Sequence, residues 1–289
     1  AGATASTGIH PATLTVDGSG QPIPIEGFEP TAYPTPPFTS ATAPSGWTAP
    51  TGAPSYWGGD ILQLQIASGA PVRVTNMDTT NGNLTIVAPT ASTGNFNSSN
   101  YALLANCSAA AVFQVQSAST ASGFSTLGYA PASGTVPVLT STGQFSLALD
   151  TYPTVQHYDQ VTYYLGRSPS GLPALYRYSL SSNTTEELVE NIEDMDVVYG
   201  VGTHGVNVPS AITGFMKANA MTATDFSNVI SVRVSVIAVG DQRGAAPTAQ
   251  TLMFHGTDTN ATTPTAWTAT DTRLRQVFTA TVALRDRVN

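Results

Sequence analysis

The chain has 289 residues, enough for one large β domain or two ordinary ones with a sizeable core. Hydrophobic residues make up 41% but charged residues only 10%, well under the roughly 25% of an average soluble domain, so Thr, Ser, Asn and Gly carry the polar surface. With a net charge of −8 and Lys217 as the sole lysine, no basic patch exists to neutralise a phosphate backbone, which argues against nucleic acid and an anionic membrane surface as partners.

In chain order, residues 1–58 hold half of the prolines with little periodicity, and read as a long loop hugging the body, 59–289, of a single domain 1–289. Its aromatic residues, Phe28, Tyr33, Phe38, Trp47, Tyr56 and Trp57, anchor that loop or offer a surface for stacking on sugars. From Gly59 the pattern changes. Leu62, Leu64 and Ile66 alternate with Gln63 and Gln65, and the turn signal Asn81-Gly82-Asn83 predicts a hairpin over 72–87. Ala111, Phe113 and Val115 mark another strand, whereas 117–146 is rich in Ser, Thr, Gly and Ala and reads as loop. Val161–Leu165 and Ala174–Tyr178 flank a Ser168-Pro169-Ser170-Gly171 turn and predict an antiparallel pair.

In the segment 188–200, Leu188, Ile192, Met195 and Tyr199 fit a helical stripe, but Met195, Val197 and Tyr199 alternate as in a strand, and its end is read as strand. Residues 209–226 are the best helical candidate, with Ile212, Phe215, Met216 and Ala220 at helical spacing after Ser210 as N-cap. Ile230, Val232, Val234 and Val236 alternate with Ser231, Arg233 and Ser235, the period of a half-buried strand. Residues 240–266 read as loop. A last strand over 274–284 puts Leu274, Phe278, Ala280, Val282 and Leu284 on one face. The fold class expected is mainly β, an antiparallel sheet body with long loops and one or two short helices.

No motif for chemistry emerges. The histidines His10, His157, His204 and His255 are far apart in sequence and read as surface or loop residues, without ligand spacing. There is no nucleophile elbow, phosphate loop or paired-cysteine motif. The sequence therefore predicts no catalytic residue, no cofactor and no metal ligand. Six of the eighteen carboxylates fall within 186–196 (Glu186, Glu187, Glu190, Glu193, Asp194, Asp196). They are interleaved with core residues, which fits a solvated strand face better than a calcium loop or a glycosidase pair.

Three strings in this order resemble the PilW family of type IV pilus minor pilins: ELVENIEDMDVVYGV (187–201), DFSNVISVRVSVIA (225–238) and DTRLRQVFTATVALRDR (271–287). Upstream, DILQLQIASG, YALLANCSAAAVFQVQ and GLPALYRYSL sit in matching order, so the resemblance runs from about Gly59 to the end. It implies a non-enzymatic subunit that primes pilus assembly near the filament tip. Its partners would be other minor pilins, the major pilin and a tip adhesin, in a surface fibre serving adhesion and twitching motility. It also implies assembly from the inner membrane with the domain on the periplasmic side. Family members begin with a hydrophobic helix, so the fold would be α+β and pilin-like if that helix were counted. The chain is then expected to be a truncated form touching the membrane only through the missing helix.

Cys107, the single cysteine, would on this reading have paired with a cysteine near that helix, or else is a buried free thiol. Where many relatives carry an acidic, calcium-like loop, this chain has Gly202-Thr203-His204-Gly205-Val206-Asn207 without a carboxylate, so no metal role carries over. The alternative reading is an extracellular carbohydrate-binding or adhesive β domain using Trp47, Tyr56 and Trp57.

Overall fold

A computed structural model describes residues 25–30, 42–78, 82–87, 96–98, 100–105, 110–129, 153–202, 211–256 and 264–284. Of these, 65% are strand and 3% helical, and the sheets are antiparallel, so the chain is mainly β. It divides into two compact units, and strands β2 (Tyr56–Asp78) and β8 (Thr154–Arg167) run through both.

The described part of one unit lies within Gln65–Gln160 and Ser179–Asn183. The second half of β2 pairs with β3 (Asn83–Val87), the hairpin that the Asn-Gly-Asn signal predicts. Strand β4 (Tyr101–Ala105) pairs with both β5 (Ala110–Gln114) and β8. Period-two alternation sends Val72 and Val74, Leu84 and Ile86, and Ala102 and Leu104 into one core with Phe113, Leu127 and Val155. Each of these Val, Leu, Ile and Phe side chains contributes roughly 1.5–3 kcal/mol by leaving water.

Part of the stretch 117–146, expected as loop, is instead a hairpin: β6 (Ser117–Ala121) and β7 (Phe124–Gly128), with β7 pairing β3. Its two-residue turn, Ser122 at φ 52° and Gly123 at φ 80°, has the two positive φ values that match the twist of paired strands. The pattern hid it because β6 is exposed on both faces and needs no apolar alternation.

The described part of the other unit lies within Pro24–Leu64, Val161–Tyr178 and Thr184–Asn289. Within the expected proline-rich loop lies β1 (Ile25–Phe28), paired with Ile61–Leu64 of β2. Strands run β10-β9-β8-β2, with β9 Pro173–Ser179 and β10 Thr184–Glu190. The pairing of β8 and β9 was legible in the sequence. At Asn191, φ is 63°, and there the chain leaves β10 for a second sheet. That sheet has the order β12-β11-β13-β16: Ile212–Met216, Ile192–Gly202, Val229–Val239 and Arg275–Ala283.

Two further segments fold otherwise than their sequence pattern predicts. Residues 209–226 do not form one helix. Ile212–Met216 is strand, Ala218–Ala220 is a single 3-10 turn, and only Ala223–Ser227 (α1) is helical. The cap is Thr222, which exchanges side-chain and backbone hydrogen bonds with Asp225, and Ser210 lies outside the described residues. Pairing with β11 supplies ladder bonds that outweigh the helical spacing, and Gly214 weakens a helix there. Residues 240–266 likewise hold a hairpin arm, β14 (Thr251–Gly256), which pairs with β15 (Pro264–Thr268). This hairpin lays Phe254 and Trp267 against Ile237 of β13, and that burial holds it in place. As expected, Phe278, Ala280 and Val282 follow one parity along the last strand, with Leu274 just before it, yet Leu274, Phe278 and Val282 stay exposed, the last two 52% and 57%.

Candidate functional site

The site grows from two glycines that let chains approach β11. At Gly59 (φ 75°) a Cβ would lie 2.9 Å from the backbone N and O of Met195, so β2 can come this close only without a side chain. At Gly27 a Cβ would collide with the hydroxyl of Tyr199. The approach at Gly59 delivers the next residue, Asp60, onto the edge of β11. Strand β12 pairs only with Tyr199–Gly202, and in its absence the Val197 amide donates to Asp60 Oδ2 at 2.8 Å.

Around Asp60 the sole lysine meets further carboxylates. Lys217, just after β12, places Nζ 2.8 Å from Asp196 Oδ1 and 3.3 Å from Glu29 Oε1. All four side chains are withdrawn from water: Lys217 and Asp196 are 4% exposed, Asp60 is 3%, and the Glu29 side chain is 3%. Three carboxyls around one ammonium cannot all be ionised without an unbalanced buried charge. Asp60 is the one that gives way: burial first, then Asp196, pushes its carboxyl well above the usual range, against the pull of Lys217. Burial works against charge on Lys217, but Asp60, Asp196 and Glu29 outweigh it and hold the amine above its ordinary value. The Tyr199 hydroxyl, fully buried beside this group, has no hydrogen-bond partner among the described residues, and burial keeps it protonated. A cleft of about 350 Å³, lined by Gly27, Phe28, Glu29, Pro30, Ser45, Ala218 and Asn219, opens beside Glu29.

A second buried network ties the end of the chain to β11. Arg275 forks onto Glu193, Nε to Oε2 at 2.6 Å and Nη2 to Oε1 at 3.1 Å. Its Nη1 bonds Asp271 Oδ1 at 2.7 Å, and Arg273 bridges Asp271 and Glu193. Asp271 is held well below the ordinary carboxylate range, chiefly by the Arg275 hydrogen bond.

The acidic cluster 186–196 is thus split. Glu186, Glu187 and Glu190 lie on exposed β10, as a solvated face requires, with Glu187 accepting from Tyr176 and Glu190 from Ser170. Glu193, Asp194 and Asp196 are buried on β11, contrary to that reading, because Arg275 and Lys217 arrive from distant sequence to pair with two of them. Among the described residues no group of three His, Cys, Asp or Glu is placed to hold a metal ion.

Of the aromatic residues, Trp47 packs against Tyr56 and Tyr164 at 5.8 and 5.3 Å, and Arg167 lies over the Trp57 ring at 4.7 Å. His157 is not on a loop: it sits on β8, half-buried and stacked on Phe96. Cys107, His10, His204, Tyr33, Phe38 and residues 203–207 lie outside the described residues. Sequence reasoning missed Glu29, Asp60 and Lys217 as partners. The one available signal was that the only lysine sits in an apolar stretch, Gly214-Phe215-Met216-Lys217-Ala218, where a solvated charge has no obvious place. A larger hollow in the other unit, about 740 Å³, is lined by Phe96, Gln116, Ser117, Thr120 and other residues without a titratable side chain.

The class defined so far is an antiparallel β protein whose strongest sequence segments, β11, β13 and β16, share one sheet held together by buried ion pairs. Residues 162–286, which contain that sheet, match the family model described as Type IV Pilus-assembly protein W. Over this region the chain is similar to the PilW family of pilus-assembly proteins. No curated protein and no solved structure matches the chain. No described helix is long and apolar enough to cross a membrane.

Proposed function

We propose that this chain is a minor pilin, a non-enzymatic structural subunit that primes assembly near the tip of a type IV pilus. It contacts other minor pilins, the major pilin and a tip adhesin, and works at the cell surface after assembly from the periplasmic side. The observation that carries this reading is the match over 162–286, whose motifs form a buried framework ending on an exposed strand. Glu193 of the first motif and Arg275 of the last are one ion pair, so the two motifs meet inside the sheet. They leave Phe278 and Val282 of β16 facing solvent, the kind of apolar surface that serves contact with another subunit. Deleting the gene should abolish or sharply reduce surface pili, counted by electron microscopy, and the intact gene should restore them. Normal piliation in the deletion strain would overturn the proposal.

A further inference from the structure

The buried lysine cluster has a chemical possibility that a salt bridge does not exhaust. Lys217 Nζ lies 2.8 Å from Asp196 Oδ1, so the carboxyl carbon is one bond beyond a contact already made. The two groups come from elements of one sheet, β11 and the residue that follows β12, which fixes their orientation. Reacting groups held at such distances in a rigid, water-poor site gain most of what an intermolecular condensation lacks. Water exclusion also favours the products, because the reaction exchanges two buried charges for one neutral amide.

We propose that Lys217 and Asp196 form an intramolecular amide bond, with Asp60 and Glu29 as the groups that move the protons. The lysine begins as an ammonium that the surrounding carboxyls hold charged, so the slow step is its loss of one proton to Glu29, whose Oε1 is 3.3 Å away. The freed amine adds to Cγ of Asp196 while the Asp60 carboxyl, whose hold on a proton is strengthened by burial and by the neighbouring Asp196, protonates a carboxylate oxygen of Asp196. Asp60 then takes back a proton from the new C–N nitrogen. Glu29 returns its proton to the departing hydroxyl, which leaves as water. One C–N bond forms, one C–O bond breaks, and no oxidant or reductant is needed. Asp60 and Glu29 end as they began, and the net charge of the cluster is unchanged. The Val197 amide, 2.8 Å from Asp60 Oδ2, positions Asp60 next to the residue it must serve. The cleft beside Glu29 gives the released water a way out. The product would close a loop of 196–217 and lock β12 to β11 covalently.

Mass spectrometry of the purified full chain reads this directly. The expected mass is one water below that of the sequence. Trypsin should leave a single 178–233 peptide lighter by one water, since an acylated Lys217 resists cleavage. Fragmentation should place the branch between Asp196 and Lys217. Lys217→Met and Asp196→Ala should each show full mass. Asp60→Asn keeps an acceptor for the Val197 amide and should fold, yet retain the water in most molecules. A wild-type chain at full mass that trypsin cuts into 178–217 and 218–233 would overturn the bond, whatever the variants do. Complete loss of water in Asp60→Asn would overturn the role given to Asp60.

Discussion

Asp60 shows how one residue reports on its surroundings. Its carboxyl is pushed above the ordinary range, so the folded chain binds that proton more tightly than the unfolded chain does. The sign follows: its contribution is fully present below the unfolded value near ~3.9 and is lost as pH rises toward the folded value. Asp60→Asn removes this titration while leaving an oxygen for the Val197 amide. Thermal melts should therefore show the variant gaining on the wild type as pH is raised from 4 to 8. A difference that stays flat over that range would mean that Asp60 is ionised in the fold. Nothing local in the sequence marks Asp60, because its burial comes from Gly59 meeting Met195, a contact across more than a hundred residues.

Among the elements, β16 and β11 make opposite demands. Strand β16 pairs with β13 along its length, Arg275 to Ala283, but beyond Arg275 its side chains are half-buried or exposed. Strand β11 is buried through nearly all of its length, charges included. Phe278→Ser and Val282→Ser should consequently change stability by only about 0.5 kcal/mol, as surface substitutions do. Glu193→Gln strips a buried arginine fork of its counter-charge and should cost about 3–5 kcal/mol. Urea titrations of the three variants test the contrast, and a Phe278→Ser loss as large as that of Glu193→Gln would show β16 to be core. Periodicity found β13 and β16, since alternation survives whether or not a face is covered. It could not rank their burial, which depends on what packs above each face. Alternation also failed for β6 and β12, one exposed on both faces and the other interrupted by glycine, so that neither carries the apolar rhythm of a half-buried strand.

For the whole molecule, the placement of the acids bears on metal dependence. Glu193 is engaged by Arg273 and Arg275, Asp196 by Lys217, and Glu187 and Glu190 by hydroxyls. Melting temperatures with a chelator and with added calcium should agree within error, and a calcium-dependent rise of several degrees would reveal a site. Composition and period-two patterning by themselves determined a mainly β, antiparallel protein, and the strings at 187–201, 225–238 and 271–287 carried the resemblance to the PilW family, because paired strands leave a local imprint of alternating residues. Only the tertiary structure decided which charges are buried and with what partners. Glu29, Asp60, Asp196 and Lys217 are separated by up to 188 positions, and no local pattern encodes the cost of desolvating a charge or the distant group that offsets it.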